Sequence, residues 1–302
     1  GLLAGPLAMK AVSQAEHLPS VSAAPEGSSP MAGLAAADLR AAPIPELWFP
    51  GSLPDDEDSF VKDFLAGELR LLDRPGFRLG EVIDWGADPF LDRTWQLLLH
   101  SLVYTRPLTR RYRETGDLAA LQQAGRVIHQ WIERNSSWHL APPSEFSWND
   151  HAIAFRSLAI LDYSVAAADR LSAQERALLL RSLMGHARAL ASPLHYTPRH
   201  NHGLDQDVAL LSLALFLHPL PEARPWRALA VSRLQAQLNE TVSNQGVHLE
   251  HSPGYHFSTL IHLVELHRMA RRFGVEEFTG PPFVALLHRM AEFGRWTVQP
   301  DD

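Results

Sequence analysis

Three short stretches hold most of the side chains able to do acid–base chemistry. Arg199-His200-Asn201-His202-Gly203 stands just before an apolar segment that starts near Leu204. An Asn close to a Gly reads most simply as a helix cap. Yet backbone N–H groups and the dipole favour negative charge at a helix N-terminus. Several rings and amides grouped there could help to hold a carboxylate. The second stretch is His248-Leu249-Glu250-His251-Ser252-Pro253-Gly254-Tyr255-His256. Ser-Pro-Gly marks a turn and Tyr255 should open the next helix, where by itself it reads as a packing residue. His248 and His251 could pair on a metal, but no helical His-x-x-x-His or His-Glu-x-x-His spacing occurs, so no metal site is assigned. The third is Trp148-Asn149-Asp150-His151, followed by Phe155 and Arg156. Asn149 or Asp150 can cap a helix, and His151 and Arg156 either look into a cleft or form polar surface.

The composition concentrates the chemistry in one part of the chain. Of 16 histidines, 13 lie at or after His139, and His is the side chain that titrates near neutral pH. Cysteine is absent, which excludes disulfides, thiolate nucleophiles and Cys-ligated metals. The formal charge of −7, with no basic stripe, argues against a general nucleic-acid binder. A local cationic site can still take an anion. No apolar run approaches the roughly 18 residues of a membrane-spanning helix. The start, Gly1 to Met9, is apolar but lacks the basic beginning of a signal peptide.

The elements that must position these residues are helices. Residues 1–54 hold eight of the 22 prolines, and 1–45 reads as a weakly ordered leader or a wrapping arm. Residues 46–302 read as one all-α domain of antiparallel helical hairpins. Leu121, Ala124, Ile128, Trp131 and Ile132 make one helical face. Ser172-Ala173-Gln174-Glu175 is a capping box. Further helices are expected at about 92–115, 150–170, 204–217, 225–243, 256–273 and 281–297, with Pro107 bending or dividing the first.

Taken together and in order, the three stretches resemble the N-terminal α/α toroid domain of the heparinase II/III polysaccharide lyases. Asp84-Trp85 with the Trp95 region adds a looser match. The likeness covers roughly residues 60–302. It implies an incomplete (α/α) toroid that holds an acidic polysaccharide in a long cleft. It also implies an antiparallel β-sandwich domain that closes over the cleft and supplies a further His and often a metal. Such enzymes pass from toroid to sandwich where this chain reaches Gln299-Pro300-Asp301-Asp302. The expectation is therefore a shortened product or a domain part, with no cofactor in these residues. Members are usually exported, so the resemblance implies a periplasmic or secreted protein, with no membrane or nucleic-acid partner.

β-Elimination next to a uronic acid needs a neutralised carboxylate, a base for the C5 proton and an acid for O4. Asn201 can donate to the carboxylate without the repulsion an Asp would bring. Tyr255 matches the family's catalytic tyrosine and can protonate O4 or, in syn geometry, first take the C5 proton. A phenol's ordinary pKa of about 10 calls for charged neighbours before it serves as a base. His202 is the other candidate base, for the opposite epimer. His151, Arg156, Glu250, His251 and His256 are expected to contact substrate. A heparan-sulfate-like polymer is the first choice, and an alginate-type uronate polymer or a non-catalytic acidic-glycan-binding toroid the alternatives. An α/α-barrel hydrolase would need two flanking carboxylates. Asp150, Asp205, Asp207 and Glu250 are available but fall in no such pattern.

Overall fold

The structure is a computed structural model that describes residues 42–47, 51–135, 142–250 and 252–298. Among these residues ten α-helices form: α1 (Glu57–Leu65), α2 (Arg93–Ser101), α3 (Arg106–Thr115), α4 (Leu118–Arg134), α5 (Asp150–Ala166), α6 (Ala173–Ala191), α7 (Asn201–Phe216), α8 (Ala223–Thr241), α9 (Pro253–Phe273) and α10 (Pro281–Thr297). A two-stranded antiparallel ribbon, β1 (Glu68–Leu69) with β2 (Phe77–Arg78), is the only sheet described. No helix described is long and apolar enough to cross a membrane.

Local chemistry explains most helix ends. Asp92, Asp117 and Asn149 accept first-turn N–H groups of α2, α4 and α5. The Ser172–Glu175 box closes reciprocally at the start of α6. These contacts satisfy donors that a helix leaves open. Pro107 neither bends nor divides a helix. It sits in the first turn of α3, where its missing N–H costs nothing. The break falls at Leu102, whose left-handed φ of 55° ends α2.

The helices pack as four successive hairpins, α3–α4, α5–α6, α7–α8 and α9–α10. The first member of each pair also packs on the first member of the next, α3 on α5, α5 on α7 and α7 on α9. That is an inner layer of like-directed helices with an outer layer around it, the incomplete α/α toroid. Helices α5 and α7 are buried on nearly every side, as inner helices must be. Between α8 and α9 the structure gives one isolated bridge, from His248 to Val242.

Residues 42–47, which straddle the expected domain boundary at 45/46, lie on this body. Ala42 and Leu47 are buried, Pro43 O accepts the Ser212 hydroxyl of α7, and Glu46 reaches Arg106 and Arg110 of α3 at 3.8 and 3.5 Å. Residues 1–41 lie outside the described residues.

Candidate active site

A cleft of about 710 Å³ opens where the N-terminal turns of α2, α5, α7 and α9 meet. It is lined by Arg93, Thr94 and Leu97 of α2, His151 and Phe155 of α5, Asn201, His202 and Asp205 of α7, and Tyr255, Ser258 and His262 of α9. Four helix N-termini thus border one space, and Asp92, Asp150 and Glu250 already accept first-turn N–H groups at those of α2, α5 and α7. On each helix the lining residues recur at steps of three or four, so each helix turns one face to the cleft.

Helix α7 starts at Asn201, three residues before the expected start. Asn201 and His202 therefore belong to its first turn, and the cap is His200, whose Nδ1 accepts the His202 N–H at 3.3 Å. The loop before it is held from outside. Thr197 N–H donates to Gln206 Oε1 at 3.1 Å, Tyr196 OH to Asp207 Oδ2 at 3.0 Å and Arg199 N–H to Gln237 Oε1 at 2.9 Å. Arg199 takes a left-handed φ of 59°. Gly203 is required there, because an added Cβ would strike the Thr197 carbonyl and the Gln237 amide.

Two carboxylates hold three imidazoles side by side. His202 Nδ1 lies 3.0 Å from Asp150 Oδ2. His151 Nε2 lies 2.8 Å from Asp205 Oδ2, and His262 Nδ1 lies 2.6 Å from Asp205 Oδ1. The His151 and His202 rings stack at 4.0 Å. Burial lowers the pKa of His151, against the pull of its bond to Asp205. Burial works to raise the pKa of both carboxyls. At Asp150 the hydrogen bonds from His202 and Thr197 outweigh it, and at Asp205 the neighbouring His262 and His151 do, so both sit well below the usual carboxylate range.

The expected site residues separate into groups. Asn201, His202, Tyr255 and His151 come together around the cleft, and Tyr255 is half exposed. Glu250 has another partner: its Oε1 accepts the Asn201 N–H at 3.1 Å. The anion position expected at this helix terminus is occupied by the protein's own carboxylate. Arg156 is in the core, with no exposure. Its guanidinium lies 3.7 Å over the Trp131 ring, donates to His100 O at 2.6 Å and to His186 Nε2 at 2.9 Å. A fully enclosed side chain cannot grip a ligand in the cleft, so that expectation is corrected. His256 is corrected likewise: it is buried, its Nε2 is 2.9 Å from Met290 O, and its ring packs on Phe293. His251 lies outside the described residues. No group of three or more His, Asp or Glu among the described residues could hold a metal ion.

The sequence reading missed His262 and Arg93 and saw in Asp150 and Asp205 only a cap or spare carboxylates. A signal existed for His262. Tyr255, Ser258 and His262 are spaced by three and four, one face of the helix that Tyr255 opens. Arg93, paired with Glu145 at 2.7 Å and lying over Phe146 at 4.9 Å, carries no local motif.

Comparison with known proteins agrees with this architecture. The sequence model described as Heparinase II/III N-terminus matches residues 62–302. Heparin-sulfate lyase from Pedobacter heparinus is 22% identical over 221 residues, covering 71% of this chain and 32% of that protein. Heparin-sulfate lyase from Bacteroides stercoris is 21% identical over 237 residues, covering 73% and 35%. The chain spans about a third of the length of these relatives. The crystal structure of heparan sulfate lyase HepC from Pedobacter heparinus superposes with a TM-score of 0.67 at 19% identity, covering 85% of this chain and 40% of that one. A crystal structure of heparinase III gives 0.70 at 18%, covering 85% and 41%. At such identities the likeness establishes a shared fold.

Proposed function

Since the chain belongs to the heparinase II/III family, we propose that it is the toroid part of a polysaccharide lyase. The substrate is a uronic-acid-containing acidic polysaccharide, heparan-sulfate-like as the first choice, cleaved by β-elimination to an unsaturated uronate. The observation that carries this reading is the meeting of Asn201, His202 and Tyr255 in one cleft on which four helix N-termini converge.

The chemistry follows from the groups present. The Asn201 amide has the donors that a uronate carboxylate accepts, and a preorganised donor of this kind is worth about 3 kcal/mol as charge develops on that carboxylate. Tyr255 stands across the cleft on α9 and supplies a proton to O4. His202 takes the C5 proton from one epimer, and Tyr255 serves both steps for the other. Arg93 offers further donors to the chain of sugars. The reading asks for no cofactor from these residues. The relatives' greater length leaves room for the β-sandwich that would close the cleft.

Incubation with heparan sulfate, heparin, alginate, hyaluronan and chondroitin, followed by near-ultraviolet absorbance of unsaturated uronate, tests the proposal. Absorbance with heparan sulfate supports it. Absorbance only with alginate moves the substrate to the alternative polymer. Glycan binding with no absorbance, also after extension to the length of the relatives, would leave a binding module.

A further inference from the structure

Asp150 is the first residue of α5 and lies behind His202 rather than in the cleft wall. Both of its oxygens are engaged. Oδ1 accepts the His151 backbone N–H at 2.8 Å, and Oδ2 accepts the Thr197 hydroxyl at 2.5 Å while facing His202 Nδ1 at 3.0 Å. An ionised carboxylate only accepts. The single hydrogen of a neutral His202 ring must then sit on Nδ1, and the lone pair on Nε2. The helix N-terminus and the three donors keep the carboxylate ionised.

The geometry points to Asp150 as a positioning residue that fixes the tautomer of His202 and makes its Nε2 the proton acceptor of the elimination. This rests on the lyase reading of the site. The stack on His151 serves the same end. His151 is tied through Nε2 to Asp205, and burial disfavours its charge. It therefore offers a neutral ring face, rather than a second cation, to an imidazolium forming 4.0 Å away.

The step balances within the groups named. The C5–H bond breaks and its proton passes to His202 Nε2. The electron pair left behind forms the C4–C5 double bond. The C4–O4 bond breaks with its pair going to O4, which takes the Tyr255 proton. The imidazolium then releases a proton to solvent and the phenolate regains one.

Labelling the histidines of this chain with nitrogen-15 and recording long-range proton–nitrogen spectra reads the tautomer directly. The unsubstituted chain should show His202 with its hydrogen on Nδ1. Asp150→Asn, which keeps an acceptor for the His151 N–H but removes the charge, should populate the Nε2–H form. It should also lower kcat about 100-fold or more with little change in KM, as loss of a tautomer-fixing carboxylate does elsewhere. Thr197→Val leaves the charge in place and should leave the tautomer unchanged. An Nε2–H ring in the unsubstituted chain overturns the assignment, and so does an unchanged tautomer in Asp150→Asn. If Asp150→Asn does not fold, the unsubstituted chain and Thr197→Val still decide. A wrong tautomer with turnover intact fails Asp150 alone, whereas a correct tautomer with no turnover, also after extension to the length of the relatives, fails the lyase reading.

Discussion

The rings of His151 and His202 lie 4.0 Å apart and within 22° of parallel, each tied to a different carboxylate. Asp205 holds the first and Asp150 the second, and Asp150 is also the chain neighbour of His151. The arrangement joins α5 to α7 by a stack and two charge-assisted bonds. Any change in how these helices meet therefore moves the groups proposed to act on substrate.

Tyr255→Phe should lower turnover by about 100- to 10 000-fold, the usual contribution of a positioned acid or base. Tyr255 is 48% exposed, so the melting temperature should hardly change. Initial rates beside glycan titration calorimetry separate the steps. Full activity in Tyr255→Phe removes the phenol from the mechanism.

Gly203→Ala should damage stability and activity together. The added methyl meets the Thr197 carbonyl and the Gln237 amide, and overpacking of this kind costs about 1–3 kcal/mol. Because Thr197 also bonds Asp150, the displaced loop should disturb His202. A variant with unchanged melting temperature and rate would show that the loop yields without cost.

Arg156→Met should act on stability alone. The guanidinium is enclosed by Trp131, Trp148, His100 and His186. Its loss removes a cation–π stack and leaves buried acceptors unpaired, each worth about 1–3 kcal/mol. The melting temperature should fall while KM for glycan stays constant in the folded fraction. A raised KM at an unchanged melting temperature would return Arg156 to the substrate.

Stability should decline as pH falls below about 6.5. Burial, aided by the nearby Arg156 charge, lowers His100 and His186 to about 3. Burial also lowers His151 and His248. The folded pKa of each lies below the unfolded value of about 6.5, so the unfolded chain binds protons first, and folding loses up to about 1.4 kcal/mol per pH unit for each group. Asp207 acts in the opposite sense. Burial raises it to about 8, so acidification down to about pH 4 favours its folded form by the same amount per unit. Several groups against one leave a net loss between about pH 6.5 and 4. Urea midpoints at pH 7.5 and 5.0 measure it, and equal midpoints would show that these histidines are not buried as neutral rings.

The parts that were legible in the sequence are local or ordered along the chain. Ser172 and Glu175 are three residues apart, so their reciprocal cap needs only the helix they start. Leu121, Ala124 and Ile128 state their face by spacing. Asn201, His202 and Tyr255 stood out because their motifs occur in a characteristic order. Arg156 was misplaced for a physical reason. Helix α5 is buried from His151 to Ser164 without interruption, so no polar stripe marks which side meets the cleft and which the core. Glu250 was misplaced because its target, the Asn201 N–H, is 49 residues away.

What the sequence by itself determined is the all-α class, most helix spans, the caps at Asn149 and Ser172 and the family, since each depends on contacts within a turn or on motif order. What only the tertiary structure decided is the pairing of His202 with Asp150 and of His151 and His262 with Asp205. Those partners are 52, 54 and 57 residues apart. Helices buried on all sides carry no periodicity to say which neighbours they choose, so only the packing of α5, α7 and α9 brings each imidazole to its carboxylate.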